Sequence, residues 1–135
     1  MRLPKKILLA EDDIDDRDFF HGFMDNRADV ELISTVENGE EVLELLIKLS
    51  GPEKFPDIII LDQNMPKRNG LQTLQVLKES KRYRQIPVFI YSTYMDENLR
   101  QNSLGAGATS VFSKPDSSDG YNKMINMMLD LIREE

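Results

Sequence analysis

Apolar residues along the chain follow two alternating rhythms. Short runs rich in Ile, Val and Leu recur at 6–10, 30–36, 57–61, 87–91 and 110–113. Runs this short and this continuously apolar predict strands covered on both faces. Between them the apolar positions spread to helical spacing. Val42, Leu45, Leu46 and Leu49 occupy one helical stripe. Asn38 precedes them as N-cap, with Glu41 three residues on, as in a capping box. Phe19, Phe20, Phe23 and Met24 mark a first helix, and Leu71, Leu74 and Leu77 a third. From Met95 to Ala106 a fourth helix carries only a thin stripe. Tyr121, Met124, Ile125, Met128, Leu129 and Ile132 form the clearest stripe, and this last helix is expected to run to Glu135. The stretch Ser50–Pro56 reads as a long helix-to-strand connection, and Gly39 and Gly70 as turn residues.

Five strand–helix units in succession predict a parallel sheet with helices on both faces. A single domain is expected over 1–135, with no second domain, low-complexity tract or further repeat. In such sheets ligands sit beyond the carboxyl ends of the strands, where the strand order reverses direction. Chemistry is therefore to be sought just after each apolar run.

Composition narrows the chemistry. Apolar residues make up 40% of the 135, which is globular rather than disordered. There is no cysteine, which removes disulfides, thiolate zinc sites and cysteine nucleophiles. A single histidine, His21, leaves no histidine-pair metal site. The 17 Lys and Arg against 24 Asp and Glu give a net charge of −7. That balance argues against binding nucleic acid or an anionic membrane surface. No apolar run spans a bilayer, and the N-terminus lacks the pattern of a signal peptide, so a cytoplasmic location is expected. The acids are clustered: six of the eight residues 11–18 are Asp or Glu. Asp15, Asp16 and Asp18 read as a solvated helix start, favoured by the positive end of the helix.

The strand ends carry the rest. The first strand runs into Glu11-Asp12-Asp13, the third into Asp62-Gln63-Asn64, the fourth into Ser92 and the fifth into Lys114-Pro115. Neighbouring strands lie about 5 Å apart, so these termini can converge on one patch. Carboxylates brought together there repel one another and gain proton affinity. A hard divalent cation such as Mg²⁺, which takes a few carboxylate oxygens, a backbone carbonyl and waters, removes that cost. Lys114 and Ser92 suit the oxygens of a phosphoryl group. A carboxylate beside metal, lysine and hydroxyl is placed to attack phosphorus and become an aspartyl phosphate. The glycines at 105 and 107 do not form a nucleotide-binding loop, since no such motif follows a strand and opens a helix.

These residues resemble the receiver domain of two-component response regulators. The motifs are Ile7-Leu8-Leu9-Ala10-Glu11-Asp12-Asp13, Leu61-Asp62-Gln63-Asn64-Met65-Pro66 with Gly70, Ile90-Tyr91-Ser92, and Gly107-Ala108 followed by Lys114-Pro115. They keep the family's order and spacing along the whole chain. The overall look also resembles the small regulators paired with bacterial phytochrome kinases. The resemblance implies a flavodoxin-like (βα)5 fold with strand order 2-1-3-4-5, and a stand-alone α/β receiver without an output domain. It implies Asp62 as phosphoacceptor. It implies Asp12 as a direct Mg²⁺ ligand, Glu11 acting through water, and the backbone carbonyl of Asn64 completing the set, with Mn²⁺ as an alternative ion. Asp13 is given no metal role. Ser92 is the implied switch hydroxyl and Lys114 the phosphoryl-binding cation, with a cis Lys114–Pro115 bond.

The implied partners are a sensor histidine kinase and a downstream target or phosphotransfer protein. The face from strand four to helix five changes on phosphorylation and is a candidate for homodimerisation. The chain then has no enzymatic turnover beyond its own phosphorylation and dephosphorylation. Two departures stand out. Val111 takes the place where the family often has an aromatic, three residues before the lysine, and Phe112 should face the other way; Tyr91 or Tyr94 are the substitutes as reporters of the switch. Thr93 and Tyr94 add bulk beside Ser92, which implies slow loss of the phosphoryl group. Two alternatives remain. A Mg²⁺-dependent phosphatase with an aspartyl intermediate needs an acid two residues after the nucleophile, where Asn64 stands. A phosphorylation-independent binding module would not need the full set Glu11, Asp12, Asp62, Ser92 and Lys114.

Overall fold

The computed structural model describes residues 3–133. The expected end of the last helix at Glu135 lies outside them. Five strands and five helices alternate: β1 (Lys5–Ala10), α1 (Ile14–Met24), β2 (Val30–Val36), α2 (Gly39–Lys48), β3 (Ile58–Asp62), α3 (Gly70–Glu79), β4 (Val88–Ser92), α4 (Glu97–Gly105), β5 (Ser110–Ser113) and α5 (Ser118–Arg133). The strands form one parallel sheet in the order β2-β1-β3-β4-β5. The long connection before β3 contains a single 3-10 turn, Pro52–Lys54. Among the described residues no helix is long and apolar enough to cross a membrane.

The continuous apolar runs are explained by two cores, one on each face. Alternate strand residues Ile7, Leu9, Ile58, Ile60, Phe89 and Tyr91 pack against the apolar stripes of α1 and α5. Their neighbours Leu8, Ala10, Ile59, Leu61, Val88, Ile90 and Val111 pack against α2 and α3. The strand period of two thus divides each run between two helical layers. Every residue of β3 and β4 is buried. Val111 and Phe112 face opposite cores, as the alternation requires, and Phe112 lies against Phe89 with ring centroids 6.0 Å apart. Helix α4 buries only Ser103 of its own residues, in keeping with its thin stripe.

Helix starts are held by short polar side chains, which satisfy backbone N–H groups that have no partner within the helix. Asn38 accepts from the Glu41 N–H as expected, but Glu41 reaches back one residue further, to the N–H of Glu37 at 2.7 Å. A full capping box instead opens α3, between Asn69 and Gln72. Asp13 caps α1 by accepting from Asp16 N–H, which gives this third acid a local role. Gly39 and Gly70 are not left-handed turn positions; both open helices at close approaches. A Cβ on Gly70 would lie 2.8 Å from the carbonyl oxygen of Asp62. The start of α3 can therefore press against the end of β3 only without a side chain at this position.

Candidate functional site

The sheet delivers its polar residues to one rim. Glu11 directly follows β1, and its N–H extends the β1–β2 ladder to Val36 O. Asp62 closes β3 in register with Tyr91 of β4. Ser92 closes β4, and its carbonyl accepts from the Lys114 N–H at 2.9 Å, just past the end of β5. The strand ladders themselves hold all four of these backbones at fixed spacing.

Glu11, Asp12 and Asp62 offer carboxylate oxygens that lie within 4.8 Å of one another. Glu11 and Asp62 are buried, while Asp12 is exposed at the mouth. This is an all-oxygen donor set of the kind a hard divalent cation takes. Asn64, expected to give its carbonyl to a metal, has its N–H donating to Asp62 Oδ1 at 3.3 Å. The Lys114 ammonium stands among the acids. It lies 2.9 Å from Glu11 Oε1, 2.9 Å from Asp16 Oδ2 and 3.3 Å from Asp62 Oδ2. Burial works to lower the proton affinity of Lys114, but its bonds to Glu11 and Asp16 and the charge of Asp62 outweigh that and hold it above the ordinary range. The lysine is thus a fixed cation.

One lysine does not neutralise the pocket. Burial, and then the hydrogen bond and charge of Glu11, push Asp62 from 3.8 up to about 7. Lys114 and the Asn64 N–H pull the other way without cancelling this. A carboxyl whose folded pKa is raised loses stability as it ionises. Through this group the metal-free fold is expected to weaken as pH rises from about 4 to about 7, and to change no further above that. A bound cation favours the ionised form and should offset the loss. Melting curves with Mg²⁺ and with chelator should therefore show a larger Mg²⁺ increment near about pH 8 than near about pH 5. Equal increments would contradict this electrostatic account.

Ser92 is buried, and its hydroxyl donates to Tyr94 O at 3.2 Å while accepting from Tyr94 N–H at 3.3 Å. A phosphoryl oxygen would compete with the first of these bonds. The Tyr94 side chain itself is exposed. The Lys114–Pro115 bond is trans, not cis as expected. Trans is the intrinsically preferred isomer by about 0.5–1 kcal/mol, and the lysine reaches all three carboxylates without the cis bend.

Two further residues join the site, and neither was assigned to it from sequence. Asp16 is not merely part of a solvated helix start, since it pairs with Lys114. Tyr91, considered only as a switch reporter, is fully buried and donates its hydroxyl to Glu11 Oε1 at 2.6 Å. Its position just before Ser92 is the one feature the sequence offers; its register with Asp62 emerges only once the strands pair.

Known proteins carry the same framework. The family model described as the response regulator receiver domain matches residues 7–126. A Bacillus subtilis protein named "Probable C4-dicarboxylate response regulator DctR" is 33% identical over 110 residues, covering 82% of this chain and 46% of that protein. The chain thus spans less than half the length of that relative. A phosphorylated cyanobacterial phytochrome response regulator, RcpA, superposes with a TM-score of 0.79 at 26% identity, covering 93% of this chain and 91% of the other. The Mn²⁺-bound form of the response regulator Rcp1 gives a TM-score of 0.73 at 25% identity, covering 97% and 88%. The match over residues 7–126, nearly the whole chain, on the same 2-1-3-4-5 sheet shows that this chain belongs to the response regulator receiver domain family.

Proposed function

We propose that the chain accepts a phosphoryl group on Asp62 from a histidine kinase, in a Mg²⁺-dependent reaction, and passes the signal on through altered protein contacts. The observation that carries this reading is the Lys114 ammonium fixed among Glu11, Asp16 and Asp62 beside an all-oxygen acidic pocket. Glu11, Asp12, Asp62 and the Asn64 carbonyl would hold Mg²⁺, which supplies positive charge to the phosphoryl oxygens. A carboxylate oxygen of Asp62 attacks phosphorus in line. An O–P bond forms as the N–P bond of the donor phosphohistidine breaks, and the electron pair leaves on the imidazole nitrogen. Lys114 offsets charge on the transferred group. Ser92 exchanges its bond to Tyr94 O for one to a phosphoryl oxygen, which shifts the backbone after β4.

Incubation with acetyl phosphate, with and without Mg²⁺, tests the reading by intact mass. Addition of one phosphate only with Mg²⁺ is expected; no addition in either condition overturns it. Thr93 and Tyr94 follow Ser92 at the exposed rim, where their bulk would hinder the approach of an in-line water. The labelled protein in Mg²⁺ should accordingly decay over minutes to hours, and decay within seconds would refute that crowding.

A further inference from the structure

Tyr91 touches both charges at the heart of the acidic pocket. It comes from the α1/α5 face of the sheet, where Phe20 meets its ring edge-on with centroids 6.3 Å apart. From there its hydroxyl donates to Glu11 Oε1 at 2.6 Å. Its ring lies 5.2 Å from the Lys114 ammonium, within cation–π range. Packing alone does not explain the hydroxyl. Phenylalanine would fill nearly the same volume without a polar atom to bury.

The partner of that hydroxyl is a fully buried carboxylate. Glu11 Oε1 is taken up by Tyr91 and Lys114, and Oε2 accepts from the Asp13 N–H at 3.2 Å. Donation from Tyr91 fixes the rotation of the carboxylate. It commits Oε1 to the protein, so that Oε2 is the oxygen with room left for a cation or its water if one binds. We propose that Tyr91 is a positioning residue for a divalent cation at the Glu11–Asp12–Asp62 pocket, orienting Glu11 through its hydroxyl. The inference rests on the reading of that pocket as a Mg²⁺ site. Outer partners of metal-binding groups typically carry about 10–100-fold in affinity.

The test uses the full chain with Tyr91→Phe, which keeps the ring and removes the hydroxyl. Titration calorimetry with Mg²⁺ should give a dissociation constant raised about tenfold. The chain has four tyrosines and no tryptophan, so near-ultraviolet difference spectra on adding Mg²⁺ report tyrosine. A difference band in the wild type should be largely lost in Tyr91→Phe. Phe20→Leu loosens the same core but keeps the hydroxyl, and should lower the melting temperature without weakening Mg²⁺.

Wild-type Mg²⁺ affinity in Tyr91→Phe would overturn the inference. So would equal weakening by Phe20→Leu, which would assign the effect to packing. If the wild type binds Mg²⁺ but is never labelled, phosphoacceptance fails while the Tyr91 result stands. If the wild type does not bind Mg²⁺, both fall.

Discussion

Asp62→Asn is expected to abolish phosphorylation and, in metal-free buffer at neutral pH, to make the protein more stable. Both effects follow from one side chain. Asp62 is almost fully buried beside Glu11, and its pKa of about 7 means that the charged form is held there at a cost. The amide keeps the shape and can still accept the Asn64 N–H, while removing the charge. A gain of about 1–2 kcal/mol is expected, since replacing a poorly compensated buried charge by a neutral group is commonly stabilising. The gain should shrink as pH falls below about 7, where Asp62 is itself neutral. The variant should also lose most of the Mg²⁺-dependent rise in melting temperature. Intact mass after acetyl phosphate checks the first effect, and denaturant unfolding across pH checks the second. Labelling of the variant would move the acceptor elsewhere, to Asp12 or Asp13. A large loss of stability would make Asp62 a structural residue.

Lys114→Met should do the reverse to stability. It leaves Glu11 and Asp62 buried without their cation, and breaking a buried pair from one side costs about 3–5 kcal/mol. The Asp16 arm is half-exposed and adds little. The loss should be greatest above about pH 7, because below it Asp62 can take up a proton instead. Labelling at saturating Mg²⁺ should slow by about 100-fold or more, the usual cost of removing one charge-stabilising donor. Mg²⁺ itself should bind more tightly, since a competing positive charge has gone. Stopped-time mass spectrometry and calorimetry measure these opposite shifts. Weaker Mg²⁺ binding would mean that Lys114 organises the pocket rather than competing with the metal. A wild-type labelling rate would remove it from the reaction.

The sheet and the rim were readable from sequence because both depend on short-range regularities. A strand buried on two faces leaves an unbroken apolar run, and the acids after Ala10 and at Asp62 mark where such runs stop. What escaped depended on side chains meeting from distant segments. Asp16 looks like an ordinary first-turn acid until Lys114 arrives beside it from the end of β5. Tyr91 looks like one more apolar strand residue until the β1–β3–β4 spacing carries its hydroxyl to Glu11. The backward arm of Glu41 was missed by one residue for the same reason, since side-chain reach is not periodic. The trans Lys114–Pro115 bond differs from the expectation because that rested on resemblance, not on any local signal in this chain.

The placement of Lys114 has a consequence for how the molecule comes into being. During synthesis the acids are made first, and pairing of β1 with β3 brings Glu11, Asp12 and Asp62 together. Their lysine follows only after α3, β4, α4 and β5 have left the ribosome. If β1 and β3 pair before that lysine is made, a proton on Asp62 or a cation from the medium has to stand in for it. Parallel pairings of this kind are slow to close. On the proposed function, full competence to take a phosphoryl group requires the fifth strand to be made and in place, because Lys114 follows directly after it.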